Sequence, residues 1–291
     1  MKVNKALILA AGKGTRFLPY TKSCPKEMLA VGDKPAMQLL VEEVVASGIQ
    51  DVLIVVSQDK QQIVDYFTPN PHRIAELRGL GKTQEADDLE QLDHLAKVSF
   101  VYQNSVTGTA CAVELAREWA ENEPFMVLNG DDVMYSATPV TQQLIDAYNL
   151  CGGIVVGVQK VLKKDIHQYA SIKVTRRRGN LLDVCDIVEK PKSAEEIFSL
   201  YAPLGRYLLT PQIFDVIADT PVRSGGEKYL TDSLQILARQ QGIYACAFTG
   251  ERFDFGSKIG YLKGVARFAS ADVRYQKEYL QYLEQLVNKT K

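Results

Sequence analysis

In the first half of the chain, apolar residues come in short unbroken runs, LILA at 7–10, LIVV at 53–56 and FMVL at 125–128, with no polar alternation. Runs of this kind predict strands covered on both faces, as in a parallel sheet flanked by helices. Expected strands cover 5–10, 51–56, 98–102 and 125–128, with helices at 36–46, 59–67 and 109–119 between them. This β-α-β-α order predicts a doubly wound α/β sheet with right-handed crossovers. Residues 68–97 carry no strand pattern and read as two short charged helices broken at Gly79 and Gly81.

The second half is less regular. Strands are expected at 153–157, 170–174, 182–188 and 204–209, with turn-rich joins such as 176–180 that suit antiparallel or mixed pairing. Helices are expected at 211–217, 229–239 and 258–268. A last helix puts Tyr275, Tyr279, Tyr282 and Leu286 on one stripe, which predicts docking on the protein itself or on a sister subunit. With no repeat or linker, residues 1–291 read as a single unit, a core of about 1–270 with a C-terminal helix at about 271–291.

Composition narrows this reading mainly by exclusion. The 291 residues are 46% apolar with a formal net charge of −1, so no global field points to nucleic acid or an anionic membrane. No run approaches the ~18 apolar residues of a membrane span, and the N-terminal apolar stretch reads as a strand rather than a signal segment. Five scattered cysteines without a Cys-x-x-Cys pair fit reduced thiols and a cytoplasmic location. His72, His94 and His167 share no metal-like spacing, and no nucleophilic triad is suggested.

Chemistry enters with LAAGKGTRFLPYTKSCPKEML at 9–29. Phe17 stands where a dinucleotide fingerprint needs its third glycine, and no Walker A sequence occurs. What remains is a strand-end loop in which small residues Ala10, Ala11, Gly12 and Gly14 bring backbone close to phosphates, with Arg16 and Lys26 neutralising charge. LNGDD at 128–132 puts two carboxylates at the same sheet edge, where Mg²⁺ is held by carboxylate and phosphate oxygens. Only one of the two carboxylates is expected to face the metal, since neighbours on an extended segment point to opposite sides. Taken alone, GDD reads equally as a turn. VEKP at 188–191 offers Glu189 and Lys190, and RFDFG at 252–256 an acid between two rings, Asp254; each reads equally well as surface or turn chemistry. Gln103, an amide with both donor and acceptor, and Gly108 follow another strand and suit a pyrimidine edge.

The segments LAAGKGTRFLP, TKSCPKEML, GDD, VEKP, LGRYLLTP, GGEKYLTDSLQ and FDFGSKIGYLKG, in that order, resemble the bacterial UTP–glucose-1-phosphate uridylyltransferases of the sugar nucleotidyltransferase superfamily. The resemblance implies a Rossmann-like, mainly parallel sheet with a small additional sheet. It implies an Mg²⁺-assisted reaction of UTP with glucose 1-phosphate, and a homo-oligomer, dimer or tetramer. By that resemblance Arg16, Lys26, Asp131, Lys190 and Asp254 are catalytic, with Asp131 and Asp254 on the metal. Ala10, Ala11, Gly12, Gly14, Glu27, Gln103 and Gly108 hold the nucleotide, and Gly130, Ala170, Glu189, Lys190 and Gly205 the sugar. Two positions depart from the family pattern. Residues 108–112 read GTACA instead of GLGHA, and Ala170 replaces a glycine that lines the sugar pocket. The second departure leaves room for a pyrophosphorylase of another sugar phosphate or nucleotide, and a silent sugar-nucleotide-binding paralogue is the alternative outside catalysis.

Overall fold

The computed structural model describes residues 2–105 and 107–290. In chain order the first half contains β1 (Lys5–Leu9), β2 (Ala30–Val31), β3 (Lys34–Pro35), α1 (Ala36–Ala46), β4 (Asp51–Val56), α2 (Gln61–Phe67), α3 (Pro71–Gly79), α4 (Thr83–Asp93) and β5 (Lys97–Tyr102). Next come α5 (Thr109–Glu114), α6 (Arg117–Ala120), β6 (Phe125–Asn129), β7 (Asp132–Tyr135), α7 (Val140–Cys151) and β8 (Val155–Lys160). The chain continues through β9 (Ala170–Arg178), β10 (Leu181–Glu189), β11 (Tyr201–Leu209), α8 (Gln212–Asp219), α9 (Leu230–Gln241), β12 (Ile243–Ala247), β13 (Glu251–Asp254), α10 (Lys258–Ala271) and α11 (Gln276–Thr290).

Nine strands form one mixed sheet in the order β5-β4-β1-β6-β11-β8-β12-β10-β9. The β5-β4-β1-β6 half is wholly parallel, and β11 and β10 run against their neighbours. The unbroken apolar runs are explained by the two layers they feed. Leu7, Leu53, Val55, Phe125 and Val127 pack into one core with α5, α8 and α9. Ala6, Ile8, Val52, Ile54, Met126 and Leu128 pack into the other with α1, α2 and α7.

Because β4 and β6 lie on opposite sides of β1, the crevice beyond the carboxyl ends of β1 and β6 is a topological switch point, where open α/β sheets bind ligands. Two two-stranded sheets flank this edge, β13 with β7 and β2 with β3. A small third core of Val31, Val133, Phe253 and Phe255, backed by Tyr261 and Phe268 of α10, fixes the hairpins beside the crevice.

Several expectations need correction. The helix expected over 109–119 is interrupted and becomes α5 and α6. The excursion does form two helices, α3 and α4. The additional sheet is a pair of small ones, and β7, α7, β12 and β13 were not anticipated. Along the tyrosine stripe, Tyr275 and Tyr279 are half-buried within the chain, whereas Tyr282 and Leu286 are exposed on it. No helix among the described residues is long and apolar enough to cross a membrane.

Candidate active site

The loop after β1 begins with an ordinary strand end, the Ala10 amide donating to Val55 O at 2.9 Å. Beyond it, the amides of Ala11, Gly12 and Lys13 have no partner among the described residues, and Ala11 and Gly12 line a cavity at the crevice. Gly14 turns the chain with a φ of +63°, and Thr21 Oγ1 pins the turn by donating to its carbonyl at 2.9 Å. Arg16 then reaches across the site, Nη1 donating to Gly256 O at 2.8 Å.

Farther along the same loop, Lys26 points back into the crevice and its Nζ donates to Asp131 Oδ2 at 2.5 Å. A Cβ on Gly12 would lie 3.7 Å from that ammonium, in ordinary contact with it. Burial opposes both charges, but their attraction outweighs it: Lys26 is held above its ordinary pKa and Asp131 below its own. Glu27 lies between two ammonium groups, 3.9 Å from Lys26 Nζ and 2.7 Å from Lys60 Nζ, and the Glu27 and Lys60 side chains are almost wholly buried. For this pair burial prevails, lifting the Glu27 carboxyl and lowering the Lys60 ammonium.

The adjacent acids of GDD diverge. Asp131 stays partly exposed at the crevice, while Asp132 is buried at the wall of the cavity lined by Glu189 and Lys190. There Asp132 accepts from Arg252 Nε at 2.6 Å and Asn129 Nδ2 at 3.0 Å. Opposite Asp132 in the β7–β13 ladder stands Asp254, and Phe255 N donates to Asp131 O at 2.7 Å. A Cβ built on Gly256 would lie 2.8 Å from both Asp131 Oδ2 and Asp254 Oδ1 and 3.3 Å from Arg16 Nη1. Two carboxylates and a guanidinium therefore converge on a point that only glycine leaves open. No group of three or more acids, histidines or cysteines placed to hold a metal ion is found among the described residues. Two carboxylates without further protein ligands fit Mg²⁺, which keeps waters and phosphate oxygens in its shell.

Two cavities meet at Asn129 and Asp131. The first, about 280 Å³, is lined by Gly12, Lys26, Glu27, Gln103, Gly108 and Thr109 among others. Gln103 Nε2 donates to Thr107 Oγ1 at 3.1 Å and Gly108 O at 3.2 Å, and Oε1 has no partner among the described residues. Gly108 (φ +93°) cannot take a side chain, because a Cβ would be 2.7 Å from Lys228 N and closer still to its carbonyl.

The second cavity, about 500 Å³, is lined by Arg16, Ala170, Glu189, Lys190, Gly205 and Asp254 among others. Burial lifts the Glu189 carboxyl above its ordinary value, against a hydrogen bond from Thr231. Lys190 follows with a φ of +50°, its amide tied to Tyr169 O at 2.9 Å and its ammonium 5.9 Å from the Tyr229 ring. Gly205 (φ +69°) sits in an irregularity of β11, pressed against the Asp132 carboxylate. Behind it the wholly buried Arg206 makes a two-pronged pair with Glu43, at 3.0 and 2.6 Å.

The structure thus brings Arg16, Lys26, Asp131 and Asp254 together, with Ala11, Gly12, Glu27, Gln103 and Gly108 on one side and Ala170, Glu189, Lys190 and Gly205 on the other. Ala10, Gly14 and Gly130 line neither cavity. Ala10 is buried, Gly14 makes the turn, and Gly130 lets β6 pass Leu9 O, 2.7 Å from where its Cβ would lie. The Ala170 methyl belongs to the core, the residue being 3% exposed, although Ala170 borders the second cavity. Arg252, Tyr169, Asn129, Glu227 and Tyr229 line the cavities without having been anticipated. A local signal existed only for Arg252, next to FDFG, and for Glu227 and Tyr229 within GGEKYLTD.

Free amides, cations and paired carboxylates at a switch point between two cavities define an α/β enzyme that handles nucleotide phosphates. Comparisons with known proteins give the finer assignment. The nucleotidyl transferase family profile matches residues 5–288. YngB, a UTP–glucose-1-phosphate uridylyltransferase of Bacillus subtilis (strain 168), is 41% identical over 288 residues, 99% of this chain and 97% of its own. A second UTP–glucose-1-phosphate uridylyltransferase of the same strain is 39% identical over 99% of this chain and 98% of its own. Among solved structures, a UTP-bound UGPase from Acinetobacter baumannii superposes with a TM-score of 0.89 at 29% identity, over 98% of this chain and 100% of that one. A UDP-glucose pyrophosphorylase complexed with UDP-glucose gives 0.83 at 31% identity, over 93% and 100%. The chain belongs to the nucleotidyl transferase family.

Proposed function

We propose that this chain joins UTP and glucose 1-phosphate into UDP-glucose and pyrophosphate. The observation that carries the reading is the meeting of two cavities at Asp131, with Lys26 and Arg16 beside it. A nucleotide in the first cavity and a sugar phosphate in the second would put the reacting groups at that junction. The amides of Ala11, Gly12 and Lys13 receive the phosphates, while Gln103 Oε1 accepts the uracil N3 proton. Glu189 accepts hydrogen bonds from hexose hydroxyls, and Lys190 takes the sugar phosphate.

An oxygen of glucose 1-phosphate then attacks the α-phosphorus in line. The new P–O bond forms as the bond to the β-phosphate oxygen breaks, and pyrophosphate leaves with the electron pair. No proton transfer is required, so positioning and charge neutralisation supply most of the rate. Lys26 and Arg16 stabilise charge that builds on the triphosphate as the leaving bond breaks. Asp131 and Asp254 are the residues that would hold Mg²⁺, which when bound neutralises phosphate charge.

The test is product identity by ³¹P NMR: UDP-glucose and pyrophosphate in equal amounts from UTP, glucose 1-phosphate and Mg²⁺. No UDP-glucose under these conditions removes the assignment. A different sugar 1-phosphate is the second reading, favoured by one observation, the alanine at position 170 on the wall of the second cavity.

A further inference from the structure

Two acidic side chains in the first cavity, Glu27 and Glu227, have no part in the reaction as described, and of these Glu27 is already paired with Lys60. Glu227 and Tyr229 line the same cavity as Gln103, Gly108, Lys26 and Asp131. The strap that carries them is fastened beside Gly108. Lys228 N donates to Thr107 O at 2.8 Å, and Ala110 N donates to Lys228 O at 3.0 Å. Its other end is held by Arg223, whose amide donates to Glu227 O at 2.9 Å and whose guanidinium grips Asp232 through Nε at 2.7 Å and Nη2 at 2.5 Å. The same guanidinium lies 5.0 Å from the Tyr229 ring. Glu227 itself makes no ion pair among the described residues, and the Tyr229 hydroxyl hydrogen-bonds to its carboxylate, which raises the phenol's pKa.

An unneutralised carboxylate beside phosphates would repel them, and a carboxylate only accepts hydrogen bonds. On the reading that this cavity takes the nucleotide, Gln103 faces the base at one end, and Lys26 and Asp131 the phosphates at the other. The ribose between them carries two hydroxyl donors. We infer that Glu227, oriented by the Tyr229 hydroxyl, accepts hydrogen bonds from the ribose hydroxyls and makes this site select ribonucleotides over deoxyribonucleotides. Glu227 would do for the ribose what Glu189, held by Thr231, does for the hexose, with both hydroxyl partners at the start of α9.

The test is calorimetric binding of UTP, 2′-deoxyUTP, 3′-deoxyUTP and CTP to the full chain with Mg²⁺, alongside turnover with glucose 1-phosphate. Wild type should bind UTP about 10- to 100-fold more tightly than at least one deoxy analogue, as expected when an acceptor in the occupied cavity loses its hydroxyl partner. Glu227→Ala should bring that ratio to roughly one, Glu227→Gln should keep part of it through its amide oxygen, and the UTP-to-CTP ratio should not move. Tyr229→Phe, which removes one oxygen from a half-buried ring, should lower the same ratio about 3- to 10-fold. Unchanged deoxy ratios in Glu227→Ala and Tyr229→Phe would overturn the inference, as would a shift confined to the CTP ratio. Binding ratios that behave as expected without turnover would support the ribose contact while removing the proposed reaction.

Discussion

The Lys26 ammonium, 105 residues from Asp131 in sequence, lies 2.5 Å from the Asp131 carboxylate where the two cavities join. The pair ties the loop after β1 to the end of β6, and its acid is shared with the convergence point at Gly256. Replacing Asp131 by asparagine should keep the shape and remove the charge. Pyrophosphate release should fall by roughly 10²–10³-fold, the scale of removing one preorganised electrostatic group. The circular dichroism spectrum should be unchanged. Turnover within about threefold of wild type would take Asp131 out of the reaction.

The same pair sets a pH-dependent contribution to stability. Asp131 has its pKa depressed in the folded state, so the stabilisation is present above the unfolded value of about 3.9 and is lost as pH falls through the folded one. The melting-temperature gap between wild type and Asp131→Asn should therefore be full at neutral pH and narrow below about pH 4. A gap that widened on acidification would contradict the pairing.

Glu189 shifts in the opposite direction. Burial raises its pKa, so over a window above the ordinary glutamate value of about 4.3 it is protonated where an exposed glutamate would be charged. The ratio of kcat/KM for glucose 1-phosphate between wild type and Glu189→Gln should approach one as pH drops through that window. Using the ratio cancels the titration of the substrate phosphate. A ratio flat across pH 4.5–8 would mean that this carboxylate does not serve the sugar.

Base selection should depend on the amide of Gln103, held by Thr107 and Gly108 with its oxygen unpartnered among the described residues. Gln103→Ala should cut the preference for UTP over CTP about 10-fold or more, by loss of a hydrogen bond that cytosine cannot replace. Comparing kcat/KM for the two nucleotides checks this, and an undiminished preference would place base reading elsewhere.

Behind the sugar cavity, Glu43 holds the buried guanidinium of Arg206 and also accepts from Thr141 N and Oγ1, at 3.0 and 2.8 Å. Glu43→Ala would strand that cation, and the expected loss is about 3–5 kcal/mol, measured by urea unfolding. A loss below about 1 kcal/mol would show that water or another acid reaches Arg206.

The parallel half of the sheet was legible because burial on both faces imposes unbroken apolar runs, as in DVLIVV of β4. Helix α7 was missed although Val140, Leu144, Ala147 and Tyr148 recur at helical spacing, and its core-facing side includes the buried polar Thr141. In α11 the apolar stripe was legible, but where it lies was not, since Tyr282 and Leu286 stay exposed in this chain. At the site, the residues after β1 and β6 could be found because strand ends announce the ligand edge. Arg252 and Tyr229 stand beside recognisable motifs, but each gains its place at the site only when β13 pairs with β7 or when the Lys228 strap closes on Gly108. For Ala10, Gly14 and Gly130, which line neither cavity, sequence alone does not separate the two uses of a small residue, close packing and ligand approach.

The most direct measurement is a steady-state comparison of pyrophosphate release across a matrix of nucleoside triphosphates and hexose 1-phosphates. The account predicts the highest kcat/KM for UTP with glucose 1-phosphate, and loss of turnover when a chelator removes divalent cations. A higher value for another pair, or turnover indifferent to the chelator, would contradict it.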